Sequence, residues 1–366
     1  MISESVKAGV TVLFYEIGNN PTVNDTSFLK ARCFKVLEWV DDAAGDGGAA
    51  GSSEYNIPNV LWDDIGGLDK VRDNILEAIE LPLKHPGLFR SVNLRRSGIL
   101  LFGPPGTGKT LVAKAVATEC GIPFVSVKGP ELLDSYVGGS EANVRKVFET
   151  AREASEGGSC VLFFDELDSL APYRDGRGDG GGAMDRVVSM LLAELDDVMV
   201  GGNGKGNVFV IAATNRPDLL DTALLRPGRL EKLVYLGLTT DRDHTSSVLK
   251  ALCRKFTFEK GLTVEEAVER VSGEIQAGLS GADLSSIASG AMERAMARVM
   301  KKVEDVAARA GVSVEEVLED WTVEECTAVV KVEDLREAGR GIVPSVTLEQ
   351  RAEYEVLRKK FSSESE

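Results

Sequence analysis

The 366-residue sequence predicts an α/β protein, a parallel sheet flanked by helices and followed by a small all-helical domain. Three observations carry that prediction. Short apolar runs alternate with helical patterns between residues 97 and 238. A glycine-rich octet joins the first of these runs to the helix that follows it. Beyond Leu238, apolar residues fall at helical spacing and no strand-like run remains.

In chain order, residues 1–40 hold two apolar patches, "VTVLFYEI" and "ARCFKVLEWV", that read as strands in a short N-terminal segment. The stretch "DDAAGDGGAAGSSE" that follows is too small and too flexible to pack, so residues 41–56 read as a linker. The main α/β domain spans 57–239. Its runs "SGILLF" (97–102), "PFVSVK" (123–128), "SCVLFF" (159–164), "NVFVIAAT" (207–214) and "KLVYLGL" (232–238) have the continuous apolar character of parallel strands buried on both faces. Residues 240–340 form the helical domain. Its longest helix opens with Ser280 and Asp283 spaced as a capping box. Pro344 then interrupts the chain before a charged terminal helix in 341–366.

Net charge narrows the function classes. With 58 acidic and 42 basic residues the chain carries −16, and a surface of that sign repels phosphate backbones, so no nucleic-acid partner is expected. No apolar run reaches the roughly 20 residues of a membrane span. Cys33, Cys120, Cys160, Cys253 and Cys326 lack metal-ligand spacing and read as reduced thiols of a cytoplasmic protein.

The octet "GPPGTGKT" (103–110) matches G-x-x-x-x-G-K-[ST] and has the required flanks, a strand before it and a helix after it. Gly103, Gly106 and Gly108 let the backbone amides of Pro104, Pro105, Thr107 and their neighbours curl about an anion, although the two prolines themselves contribute no N–H. Lys109 offers a point charge to the outer phosphates, Thr110 a hydroxyl for Mg²⁺, and Leu111 lies in the first helical turn, whose N-terminus favours negative charge. The implied ligands are ATP and Mg²⁺, and the fold expected is that of a P-loop nucleotide hydrolase. "VLFFDELD" ends a buried strand in two acids. Asp165 fits the Mg²⁺-organising carboxylate. Glu166 is the candidate to polarise the attacking water, on the argument that adjacent strand residues point opposite ways. Asn215 leaves the next strand at the same edge and fits a polar group that holds the water or the γ-phosphate.

Together "WDDIGG", "GPPGTGKT", "SYVGGSE", "VLFFDELD", "ATNRPD", "LLRPGR" and "SGADL", in that order over residues 61–290, resemble the AAA family of ATPases. The resemblance implies that Asp64, Ile65 and Gly66 lie against the adenine, and that Gly281 and Ala282 close over the nucleotide from a helical lid. It also implies that Arg226 and Arg229 enter the active site of a neighbouring subunit in a hexameric ring. An arginine supplied in trans is worth ~10³–10⁵ in turnover. Tyr136, Val137 and Gly138 match the loop that lines the ring's central pore and presses on an extended polypeptide; Gly139 stands where related sequences carry a glutamate. Residues 174–186 are either a second pore-facing loop or a flexible surface loop.

Finer features, among them Met184 before "DRVV" and the "LAELD" that follows, resemble one branch, the second ATPase cassette of peroxisome-biogenesis ATPases of the peroxin-six type. That likeness implies a heterohexamer with the sister peroxin ATPase, held by a tail-anchored docking protein at the cytoplasmic face of the peroxisomal membrane. The work implied is extraction of ubiquitylated import receptors for recycling. Two alternatives are a segregase of the valosin-containing type and a nucleotide-dependent assembly module with little hydrolysis. About sixty residues precede "WDDIGG", where peroxin-six proteins carry N-terminal domains and a first cassette. The chain is therefore a fragment, a shortened gene model or a single-cassette form.

Overall fold

A computed structural model describes residues 5–7, 10–12, 57–84, 97–134, 136, 138–156, 158–172, 181–200, 207–259 and 261–362. The chain divides into two compact units, Met1–Glu54 and Tyr55–Glu366. In the first, β1 (Ser5–Lys7) pairs antiparallel with β2 (Val10–Val12). The second N-terminal apolar patch and the linker over 41–56 lie outside the described residues.

The second unit is built on a five-stranded parallel sheet of order β4-β5-β6-β3-β7. Its strands are β3 (Ile99–Phe102), β4 (Phe124–Lys128), β5 (Ser159–Asp165), β6 (Asn207–Thr214) and β7 (Lys232–Tyr235). Register explains why the runs are apolar without alternation. Leu100, Leu162, Phe164, Val210 and Ala212 turn to one face. There they pack with α3 (Gly139–Ala154) and α5 (Gly181–Val200) through Val144, Phe148, Val188 and Leu191. Ile99, Leu101, Val161, Phe163 and Ile211 turn to the other. They meet α1 (Asp69–Lys84) and α2 (Lys109–Cys120) through Ile75, Ile79, Val112 and Val116. A central strand covered on both sides has no solvent face on which to place a polar residue. By contrast, β4 and β7, expected to be buried on both faces, stand at the sheet edges and are only partly buried, with Ser126, Lys128 and Lys232 exposed.

Four-residue α4 (Leu167–Leu170) follows β5 directly. After β7 the chain is helical: α6 (Arg242–Cys253), α7 (Val264–Ser272), α8 (Gly281–Ala310), α9 (Val314–Asp320), α10 (Val323–Cys326), α11 (Val332–Arg340) and α12 (Leu348–Ser362). Leu249, Val271, Leu284, Ile287 and Leu335 give this part its own core. The far end of α8 forms a satellite cluster with α9 through Val303, Ala307 and Val317. One addition is not visible in the helical pattern of the sequence. Two-residue strands β8 (Thr257–Phe258) and β9 (Val329–Val330) pair in parallel, each too short to carry a period.

The capping box that opens α8 forms as its residue types require. The Ser280 hydroxyl accepts from the Asp283 N–H at 3.1 Å, and the Asp283 carboxylate accepts from the Ser280 N–H at 2.9 Å. At the other end Gly311, in the left-handed region at φ 66°, stops the helix.

Candidate active site

The strand order brings the chemistry-bearing residues to one edge. β6 lies between β5 and β3, so the chain exits at Asp165, Asn215 and Gly103 stand side by side at the carboxyl ends. Ligands of open α/β sheets bind at this edge.

The loop after β3 needs its glycines for two different reasons. Gly103 presses against the end of β7: a Cβ there would sit 2.1 Å from the Leu236 carbonyl oxygen. Gly106, at φ 73°, lies under the lid, and a Cβ would come within 2.9 Å of the Ala282 methyl group. The Ala282 N–H donates to the Gly106 carbonyl at 2.9 Å, so the first turn of α8 touches the phosphate loop directly. Gly281 and Ala282, expected to close over a nucleotide, thus lie against Gly106. Pro104 is buried, whereas Pro105 and Leu111 are exposed. Thr107 bonds back to the Pro104 carbonyl at 3.0 Å and closes the loop on itself.

Lys109 is buried in this loop, with Nζ donating to the carbonyls of Gly103 at 3.0 Å and Pro104 at 2.7 Å. Burial pulls its pKa down to about 8, only partly offset by the charges of Asp165 and Asp168. One residue on, Thr110 Oγ1 donates to Asp165 Oδ2 at 2.7 Å, joining the phosphate loop to β5. A hydroxyl and a carboxylate at this distance suit Mg²⁺, which takes few protein ligands and fills its remaining positions with phosphate oxygens and water. Among the described residues, no group of three or more His, Cys, Asp or Glu side chains is placed to hold a metal ion.

Glu166 corrects the strand argument made for it. β5 ends at Asp165, so strand alternation does not set the direction of Glu166. The residue sits in the left-handed region at φ 52°, ψ 45°, the one non-glycine with positive φ among the described residues. Such a conformation costs a residue with a Cβ about 1–2 kcal/mol. Its N–H is held by Asp165 Oδ1 at 3.0 Å, and its carbonyl accepts from the Ser169 hydroxyl at 2.8 Å. The side chain is exposed.

The sequence reading missed Asp168. It accepts from the Thr214 hydroxyl at 2.7 Å, and that same hydroxyl accepts from the Arg216 N–H at 3.0 Å, bracketing half-buried Asn215. The signal was present in "DELD", where the second Asp lies three residues after Asp165.

Asp64, Ile65 and Gly66 lie beside α6. Arg254 bridges Asp63 and Asp64 at 3.5 and 3.4 Å, and Ile65 packs at the margin of the α1/α2 core. Gly66 approaches α6 so closely that a Cβ would stand 2.2 Å from the Ser247 carbonyl oxygen.

Arg226 and Arg229 flank a turn closed by the Arg229 N–H on the Arg226 carbonyl at 3.1 Å. Gly228 at φ 85° after Pro227 is the pattern of a type II turn. The two side chains differ. Arg226 is exposed, whereas Arg229 is held within its own chain by both carboxylate oxygens of Asp196 and by the Ala223 carbonyl.

The loop before α3 is tied by the Asp134 carboxylate on the Tyr136 N–H at 3.1 Å and by the Gly139 N–H on the Tyr136 carbonyl at 3.1 Å. Tyr136 is 81% exposed, more than any other large apolar side chain described. A Cβ at Gly139 would lie 2.5 Å from the Asp134 carboxylate, which accounts for the missing side chain. Gly138 sits at φ 86°. Val137 lies outside the described residues, as do 174–180 of the glycine-rich stretch; its last residues open α5. There Arg186 pairs with Glu141 at the start of α3, at 2.9 Å.

Residues 99–238, which hold this edge and its loops, match the family model described as "ATPase family associated with various cellular activities (AAA)". This region is an AAA ATPase domain. Among curated relatives, a protein named "Peroxisomal ATPase PEX6" from Candida glabrata is 48% identical over 315 residues, 84% of this chain and 30% of that protein. Proteins of the same name from Neurospora crassa and Komagataella phaffii are 47% and 48% identical, over 89% and 85% of this chain and 24% and 27% of theirs. The chain thus spans less than a third of the length of these relatives. Among the described residues, no helix is long and apolar enough to cross a membrane.

Proposed function

We propose that the chain is the nucleotide-hydrolysing part of an AAA motor that works in peroxisome biogenesis. The observation that carries the hydrolytic reading is the 2.7 Å bond between Thr110 and Asp165, with Lys109 and Glu166 each one residue away. Lys109 holds the outer phosphates of ATP, giving up its two carbonyl partners for a stronger charge-assisted contact. Thr110 and Asp165 hold Mg²⁺, which neutralises charge developing on the phosphates when bound. Glu166 accepts a proton from the attacking water, and Asn215 orients that water. Exposed Arg226 completes the site of an adjacent subunit in a ring.

The polypeptide reading rests on Tyr136, a rigid aromatic held out on a closed loop, which offers flat apolar contact tolerant of sequence. The relatives' name supports placing the motor at the peroxisome. The partners implied are the sister peroxin ATPase in the ring and a tail-anchored membrane protein for docking. The substrate would be ubiquitylated import receptors, drawn out of the membrane from its cytoplasmic side.

Steady-state ATP turnover of the assembled protein, with Glu166→Gln as control, tests the reading. The variant should keep nucleotide binding and lose turnover. Equal turnover in the two proteins would remove the assignment.

A further inference from the structure

The segment from Ser345 to Phe361 touches the phosphate-loop region from two directions. At its start, the Asp283 carboxylate accepts from the Ser345 N–H at 3.2 Å and from the Ser345 hydroxyl at 3.0 Å. Asp283 is buried, and it also accepts from the Ser280 N–H. Burial pushes its pKa up, but the bonds from Ser280 and Ser345 outweigh burial and leave it below the usual carboxylate range. The same carboxylate therefore caps α8 and holds the chain that leads into α12. One residue before Asp283, Ala282 donates to Gly106 in the phosphate loop.

At its end, α12 returns to the sheet. Phe361 is buried, with its ring centroid 5.8 Å from that of Phe102 in an edge-on arrangement. Phe102 is the last residue of β3 and directly precedes Gly103. Tyr235 completes the group, 5.4 Å from Phe102, with the Arg358 guanidinium 5.5 Å above its ring. Aromatic pairs in this geometry are held by their ring quadrupoles as well as by the area they bury. Each half of the contact thus bears on a different point of the loop, Phe102 at its entry and Gly106 at its bend.

We propose that residues 345–361 act as a strap that holds the phosphate loop in its nucleotide-receiving shape, with Asp283 and Phe361 as positioning residues. This deepens the proposed function and rests on it for the identity of the ligand. Neither residue needs to touch nucleotide. If the loop without its strap is receptive about a tenth of the time, apparent affinity falls roughly tenfold, because binding draws only on the receptive fraction.

The test uses the full chain and two readouts: the Kd for a fluorescent ATP analogue with Mg²⁺, and amide hydrogen exchange across residues 103–110. Phe361→Ala should weaken binding about tenfold and speed exchange in the loop. Phe361→Leu, which keeps an apolar side chain against Phe102, should restore both. Asp283→Asn, which keeps the shape and weakens the hold on Ser345, should shift both in the direction of Phe361→Ala. A folded Phe361→Ala protein with unchanged Kd and unchanged loop exchange would overturn the strap. If the unmodified chain bound no nucleotide, the proposed function would fail, and the exchange readout would still decide the strap.

Discussion

Arg229 grips Asp196 through two parallel hydrogen bonds of 2.7 and 2.6 Å, while Arg226, at the other corner of the same turn, is exposed. The two arginines of "LLRPGR" are thus unequal within the chain. One anchors the turn to α5 and the other is presented by it. Arg226→Ala should change stability by less than about 0.5 kcal/mol, as a surface substitution does, and should remove turnover by ~10³-fold or more if that group acts in trans. Arg229→Ala should lower stability by about 1–2 kcal/mol, because three bonds are lost and Asp196 loses its bidentate partner. Chemical denaturation of both variants beside their turnover separates the two roles.

Lys109 predicts a pH dependence of known sign. Its folded pKa of about 8 lies below the ordinary 10.5, so the unfolded chain holds the extra proton between those values. Stability conferred by neutral Lys109 therefore rises with pH across that window, and the full cost is present below pH 8. The buried thiols of Cys160 and Cys253, pushed up to about 12, act in the opposite direction above pH 9. The difference between the unmodified chain and Lys109→Met isolates the lysine. Without nucleotide, the variant should be the more stable at pH 7, by up to roughly 3 kcal/mol, and the gap should close towards pH 10. It should bind no ATP.

Glu166 carries backbone strain that a glycine would not. Glu166→Gly should stabilise the chain by about 1 kcal/mol and abolish turnover, whereas Glu166→Gln should abolish turnover with stability unchanged. A thermal melt of both variants checks this. Equal stability would mean that the left-handed conformation at 166 costs nothing.

Gly139 and Asp134 form a matched pair. Gly139→Glu should open the Tyr136 loop, because its Cβ falls on the Asp134 carboxylate. Adding Asp134→Gly to Gly139→Glu, which removes the Asp134 Cβ 2.8 Å away together with the carboxylate, should recover part of the loss, the bond to the Tyr136 N–H remaining absent. Non-additivity of the two substitutions, measured by a double-mutant cycle on substrate-stimulated turnover, is the expected result.

Much of this was legible in the sequence, for reasons particular residues make plain. The central strands β3, β5 and β6 are buried on both faces, so "VLFF" and "NVFVIAAT" could not contain polar interruptions, and the polar residues after them stand out. The glycines of 103–108 were equally visible, because left-handed backbone and close approach leave few other residue types. What escaped were contacts between distant parts of the chain. Asp196 lies 33 residues from Arg229, Ser345 lies 62 from Asp283, and Phe361 meets Phe102 from the far end of the chain. Each of these residues taken alone is an ordinary helix or turn residue. The conformation of Glu166 escaped too, since nothing in the residue type signals that the strand stops one position earlier.

The central claim, a hydrolytic site completed by a neighbouring subunit, is tested most directly by mixing two inactive variants. Glu166→Gln lacks the group that activates water but keeps Arg226; Arg226→Ala lacks the arginine but keeps Glu166. In mixed rings assembled from this chain alone, without a sister ATPase between copies, an Arg226→Ala subunit beside a Glu166→Gln neighbour has both groups at one interface. ATP turnover should therefore appear on mixing, although neither variant turns over alone. Mixed assemblies that form and remain inactive would contradict a shared site.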